Sequence, residues 1–176
     1  MQRQILAWVF GAVSALPFFY FCPPMMPVVM EELPIITSDD FEKGADRWEP
    51  TDRDAWKVLE TKQGKVYSQF QQSKYSPPHR SPFNFSLLKD IAVADFVLET
   101  KVQSTVKDYG HRDMCLIFGY QDQSHFYYVH LGKKTDDHAN QVFIVDGAPR
   151  TKISTNTTAG TDWDDERTPR HLPYIV

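Results

Sequence analysis

Two short groups of polar and aromatic side chains in the second half of the chain have the chemistry needed to bind a polyhydroxylated ligand. Arg112 and Asp113 precede an apolar run, where a loop meets a strand, and such a pair can orient sugar hydroxyl groups through charge-assisted hydrogen bonds. Tyr128 and His130 are two residues apart, so in a strand they share one face. An aromatic ring with a polar tip can stack on a sugar ring and hydrogen-bond its edge. We predict ligand binding by these four residues; the alternatives are a structural Arg112–Asp113 pair and a core position for Tyr128 and His130.

A third group, Asp136, Asp137 and Asn140, offers the hard oxygen ligands that Ca²⁺ takes. Two acids and an amide are also ordinary composition for a loop between strands. The histidines of the same region lack the ligand spacing that is diagnostic of a transition-metal site. Calcium bound by Asp136, Asp137 and Asn140 is therefore the one cofactor that the sequence predicts, with an ordinary turn as the alternative.

The chain shows no clear pair of catalytic carboxylates. Glycoside hydrolases generally use two, about 5–5.5 Å apart for retention and about 6.5–9.5 Å apart for inversion. Glu99 alternates with apolar residues and is predicted to be an outward-facing charge on a strand, and the acidic run 162–166 is predicted to be a solvated loop. We predict no catalytic residue.

Short runs of β-branched and aromatic residues, bounded by Gly, Asp or Asn, must position these groups, and they predict an all-β, antiparallel β-sandwich. The clearest strands are 95–103, 114–121, 125–131 and 141–147. A further pair of strands is expected on either side of Gln63-Gly64, and a turn at Asp146-Gly147. The three prolines within 73–86 predict a loop or irregular edge, and Trp48 and Trp56 are interpreted as core anchors.

Charge and the N-terminal segment limit the classes of function. The formal net charge of −4 and the absence of a Lys/Arg cluster argue against a nucleic-acid partner. The apolar run from Ile5 to Cys22, after Arg3 and before Pro23-Pro24, is typical of a signal peptide, or of a hydrophobic helix that stays as a membrane anchor if uncleaved. We therefore expect a secreted or periplasmic protein, or a membrane-anchored one with an extracytoplasmic domain.

The predicted organisation has four parts. They are a signal peptide or anchor over 1–22, a Pro/Met-rich tether over 23–34, a β-sandwich domain over 35–163 and an irregular tail over 164–176.

The segments YGHRDMCLIFGYQDQSHFYYVHLGKK and DDHANQVFIVDGAPRTKISTNTTAGTDW resemble the concanavalin A-like (laminin-G/glucanase-type) jelly-roll domains of secreted bacterial proteins. The nearest resemblance is to those grouped with the 3-keto-disaccharide hydrolase domain of unknown function. It implies two packed antiparallel sheets, a concave face suited to sugars and, in some members, a structural calcium ion. Such domains continue past the equivalent of Trp163 into another strand pair, whereas 164–176 here carry no strand period, which predicts a truncated sandwich.

These observations leave three functions open. The first is an extracytoplasmic, noncatalytic module that binds carbohydrate. The second, implied by the resemblance, is a hydrolase acting on glycosidic bonds, which would need a convergent acid pair. The third is a structural or protein-interaction module, favoured if the concave sheet face proves apolar and covered by the loop 73–86.

Overall fold

The computed structural model describes residues 34–105, 109 and 113–160 in full, and residues 170–175 as backbone. Over these residues the protein is all-β, with antiparallel strand pairs and one short 3-10 turn at Arg53–Ala55. The strands are β1 Trp48–Pro50, β2 Trp56–Thr61, β3 Gly64–Gln69, β4 Ser86–Leu88, β5 Val97–Val102, β6 Met114–Asp122, β7 His125–Leu131, β8 Gln141–Asp146, β9 Thr151–Lys152 and β10 Arg170–Ile175.

Strands β6 to β9 form one four-stranded antiparallel sheet in chain order, so each strand pairs with its sequence neighbour. The three strands predicted within this region are confirmed to within one residue at each end. Gly147 follows β8 with a φ of 62°, as expected for the predicted Asp-Gly turn. Although β6 is rich in apolar residues, it lies at the end of the strand order of this sheet and not in its middle.

Both faces of this sheet bury apolar side chains, which explains why β6 is apolar on both sides. One face carries Phe126 and Tyr128 of β7, and residues outside the sheet, including Phe85 and Leu87, pack on it. The opposite face carries Val129 and Leu131, with Val102 of β5 packed nearby. The alternation along β7 thus separates two apolar clusters, as its sequence predicts.

The first half of the folded region contains two smaller antiparallel pairs. Strands β2 and β3 form the predicted hairpin, and Gly64 has a φ of 113°, a backbone conformation that favours glycine. Strand β1 pairs with β4, which begins only at Ser86, after the proline-containing segment. The prediction that 73–86 is a loop is therefore borne out up to the first residue of β4.

The C-terminal residues differ from the sequence-based expectation. The backbone of β10 pairs antiparallel with β5, from Arg170 opposite Val102 to Ile175 opposite Val97, where an irregular tail was predicted. Backbone hydrogen bonds can pair a segment that lacks apolar alternation, and β5 offers such an edge. The predicted signal peptide or helix over 1–22, and all of the tether except Pro34, lie outside the described residues.

Residue contacts divide the chain into two units, Met1–Ser38 and Asp39–Val176. No helix among the described residues is long and apolar enough to cross a membrane.

Candidate functional site

Tyr128, predicted to bind ligand, lies in the protein core. Its side chain is 0% exposed, and its ring stacks on Phe143 with centroids 5.3 Å apart. The Arg150 guanidinium donates a hydrogen bond of 3.0 Å to the Tyr128 hydroxyl and lies over the Phe143 ring. Burial raises the pKa of Tyr128 to about 12, partly opposed by the charge of Arg150. As placed, the Tyr128 ring is not accessible to a sugar.

His130 and Asp113 are brought together, but as a largely buried pair. His130 Nε2 lies 3.1 Å from Asp113 Oδ2, and His130 is only 7% exposed. This contact ties Asp113, the residue before β6, to β7. Arg112 lies outside the described residues.

Cys115 stands directly opposite His130 in the β6–β7 register, but the thiol is not activated. Burial, together with the nearby charge of Asp113, raises the pKa of Cys115 to about 12, and the charge of Arg150 partly opposes this rise. A nucleophilic cysteine needs the opposite shift, because the thiolate is the reactive form. Cys115 packs against the apolar cluster around Tyr128 and so serves there as a small hydrophobic residue.

The side chains of the three predicted calcium ligands all contact other groups of the protein. Asn140 is 1% exposed; its Oδ1 accepts from the Gly132 N–H, and its Nδ2 donates to Thr135 Oγ1. Asp136 Oδ1 accepts from the His138 N–H, and Asp137 lies on the surface with Oδ1 3.7 Å from Lys152 Nζ. Within the described residues no group of three or more His, Cys, Asp or Glu side chains could hold a metal ion. Asn140 closes the loop between β7 and β8 through these internal hydrogen bonds.

A cleft elsewhere has a composition that suits a ligand better. It lies beside β1 and the β2–β3 hairpin, has a volume of about 430 Å³, and contains the half-buried aromatic residues Trp48, Trp56 and Tyr67. The other lining residues are Ala45, Asp46, Pro50, Arg53, Lys57, Val58 and Lys89. Ligand sites of this size usually combine aromatic walls with a few polar groups.

The aromatic side chains of the cleft form one stack. Tyr67 stacks on Trp56 at 4.7 Å between centroids and on Phe41 at 5.4 Å, so it is held between two rings. Trp48 contacts Tyr67 at 6.0 Å with a tilt of 43°. Tyr67 therefore links Trp48 and Trp56, and all three residues line the cleft. Phe41 reaches the stack from a backbone with a φ of 60°.

Polar contacts inside the protein fix the orientation of both indole rings. Trp48 Nε1 donates to Asp39 Oδ2 at 2.8 Å, and Trp56 Nε1 donates to Asn84 Oδ1 at 3.0 Å. The Tyr67 hydroxyl lies 3.2 Å from Ser86 Oγ, and burial raises the pKa of Tyr67. Since the N–H groups are already satisfied, the rings offer a ligand mainly their apolar faces, in a pre-formed arrangement.

Charged side chains surround this aromatic group. The Lys57 ammonium lies 4.0 Å from the centre of the Phe70 ring and is therefore engaged there. Arg53, Lys89 and Asp46 have no ion pair with any described residue. These three side chains can therefore hydrogen-bond a ligand without first breaking a salt bridge.

The sequence interpretation missed this cleft because it assigned Trp48 and Trp56 to the core. Both are half-buried, and what brings them together is the packing of β1 beside the hairpin. One local signal was available: Trp56, Val58 and Tyr67 share a face of the hairpin, with Val58 directly opposite Tyr67 in the register. That signal indicates an aromatic face but not whether another element covers it.

Comparisons with protein-family models, with curated proteins and with solved structures found no match. The concanavalin A-like resemblance therefore stays a prediction.

Proposed function

We propose that this protein is an extracytoplasmic carbohydrate-binding module and that its ligand site is the cleft of Trp48, Trp56 and Tyr67. The observation that carries the proposal is the aromatic group of Trp48, Trp56 and Tyr67 lining one cleft together with polar side chains that have no ion pair within the described residues. Sugar rings have apolar faces and hydroxyl edges, so they need an aromatic surface and hydrogen-bonding groups close together. This location replaces the predicted one around Tyr128, whose ring is inaccessible.

Binding is proposed in preference to catalysis. Among the residues that line the cleft, Asp46 is the single carboxylate, whereas hydrolysis of a glycosidic bond generally uses two. The hydrolase alternative would need a second acid from elsewhere in the chain.

The finer description of the fold belongs to the same proposal. Phe85 and Leu87 of the 73–88 region pack on the β6–β8 sheet, as expected if β1 and β4 belong to the second layer of a sandwich. We propose that the layers follow the jelly-roll arrangement of the concanavalin A-like domains. A structural calcium ion, which some of those domains hold, is included below as a variable in the binding experiment.

A glycan array and a thermal-shift screen of the full-length protein, each with and without Ca²⁺, test the proposal. A specific glycan should raise the melting temperature, because a ligand that binds only the native state stabilises it. Replacing Trp56 with Ala should then weaken the affinity for that glycan by about 30-fold, as for a buried aromatic anchor worth about 2 kcal/mol.

Phe83→Ala is the matched control, because Phe83 is an aromatic residue that is 73% exposed and does not line the cleft. Its affinity should equal that of the original protein. Trp48→Ala supplies a second change in the cleft, in case the Trp56 variant folds poorly after losing its contact with Asn84. A glycan that binds both tryptophan variants at full affinity would place the site elsewhere.

One observation favours a second candidate, a protein-interaction or structural module. The sheet face that carries Phe126 and Tyr128 is apolar, and Tyr75, Phe85 and Leu87 cover it. That arrangement is the one expected of a sandwich without a sugar site on its sheet. A cooperative melt with no shift from any glycan or from Ca²⁺ would favour this candidate over the cleft.

A further inference from the structure

The charges at the aromatic cleft indicate what kind of sugar it takes. Arg53, Lys57 and Lys89 line it, against one carboxylate, Asp46, in a chain whose formal net charge is −4. Because the whole chain is acidic, this local excess of cations opposes the average charge of the protein. Cation-lined clefts attract anionic ligands.

Two of the three cations are available to a ligand. The Lys57 ammonium is held over Phe70, whereas Arg53 and Lys89 make no ion pair with any described residue. Both side chains are exposed, so they would contact a ligand at the margin of the cleft. Burial raises the pKa of Tyr67, and the charge of Arg53 partly opposes this rise.

We propose that the cleft selects acidic sugars, with the sugar ring on Trp56 and its carboxylate bound by Arg53 and Lys89. A planar guanidinium matches a carboxylate through two parallel hydrogen bonds, and Lys89 adds a second charge. Asp46 is left to accept hydrogen bonds from sugar hydroxyl groups. The inference rests on the proposed function and specifies its ligand as a uronic-acid oligosaccharide.

The experiment compares an oligogalacturonate with its fully methyl-esterified form, using the full-length protein and isothermal titration calorimetry. The two probes have the same sugar rings and differ in the negative charge of the carboxyl group. We expect the acid to bind at least about tenfold more tightly than the ester, as for one charge-assisted hydrogen bond. Raising the salt concentration should reduce this preference, because the two cations are exposed.

Variants that remove one positive charge then test which side chains recognise the carboxylate of the ligand. Arg53→Gln and Lys89→Gln should each weaken binding of the acid more than binding of the ester, so that the preference for the acid falls. Lys152→Gln is the matched control, because it removes the same charge on β9, away from the cleft. If the acid preference survives in the Arg53→Gln/Lys89→Gln double variant, recognition of the carboxylate by these residues is disproved.

The possible failures are distinguishable. Equal binding of acid and ester would overturn the inference while leaving the carbohydrate-binding proposal intact. If neither probe binds but a neutral glycan of the array does, the inference again fails and the proposed function stands. If no glycan binds at all, both fail.

Discussion

Replacing Tyr128 with Phe tests whether this residue belongs to the core or to a ligand site. The change keeps the ring stacked on Phe143 and removes only the hydroxyl that accepts the 3.0 Å hydrogen bond from Arg150. A hydrogen bond to a charged group contributes about 1.5–3 kcal/mol. Arg150 is half-buried, so water can replace part of the lost contact, and we expect a loss near the lower limit, about 1.5 kcal/mol.

This loss should appear in unfolding and not in glycan binding. Urea unfolding followed by tryptophan fluorescence should give a free energy of unfolding lower by about 1.5 kcal/mol with an unchanged m-value. For a domain of this size the melting temperature should fall by about 4 °C. Affinity for any glycan found in the array should remain the same, because the hydroxyl is buried.

Tyr127→Phe is the control on the same strand. Tyr127 is half-buried, stacks on Phe118 at 5.6 Å, and its hydroxyl has no hydrogen-bond partner in the described part of the chain. Its removal should change stability by less than about 0.5 kcal/mol. The assignment of Tyr128 to the core would be refuted if Tyr128→Phe kept full stability and lost glycan affinity.

Two further predictions concern titration. In a Cys22→Ser variant the remaining thiol, Cys115, should resist iodoacetamide at pH 8 and react only on unfolding, because burial raises the pKa of Cys115 to about 12. Rapid labelling of the folded protein would contradict this prediction. The Ser124 N–H, and then the His125 side chain, lower the pKa of Asp122 below 3.8. The ionised Asp122 carboxylate therefore stabilises the folded state above the unfolded pKa, and this stabilisation is lost as the pH falls through the lower folded pKa. Asp122→Asn should therefore lose less melting temperature between pH 5 and pH 3 than the original protein does, and an identical pH profile would argue against the contact.

The strands that were predictable from sequence are those whose pairing is local. Strands β6, β7 and β8 follow one another through short connections, and each shows a run of β-forming residues that its own neighbours in the chain can pair with. The β2–β3 hairpin was predictable for the same reason, because its two strands pair directly across the Gln63-Gly64 turn. Strands β1 and β4 were not predicted, because each has only three residues and they pair across 35 intervening positions.

Candidate ligand residues were harder to predict because period-2 alternation shows that two side chains share a face, not which face is exposed. Tyr128 and His130 share a face as expected, but residues of the 75–87 segment cover it around Tyr128. Sequence composition was equally ambiguous for Trp56, since a tryptophan beside charged residues fits a core position and a cleft wall alike. Deciding between them requires contacts between segments that are distant in the chain.

Two adjacent residues, Asn84 and Phe85, contribute to the cleft and to the covered sheet face respectively. Phe85 packs on Phe126, with ring centroids 5.7 Å apart, and so closes the face that was predicted to bind sugar. Asn84, the preceding residue, accepts the indole N–H of Trp56 and so orients the wall of the cleft. The two side chains therefore contact different elements, Phe85 the β6–β9 sheet and Asn84 the β2–β3 hairpin. The same short segment therefore covers the sheet face and orients a wall of the aromatic cleft. For this reason we expect the ligand site beside the β2–β3 hairpin and not on the sheet face that Phe85 covers.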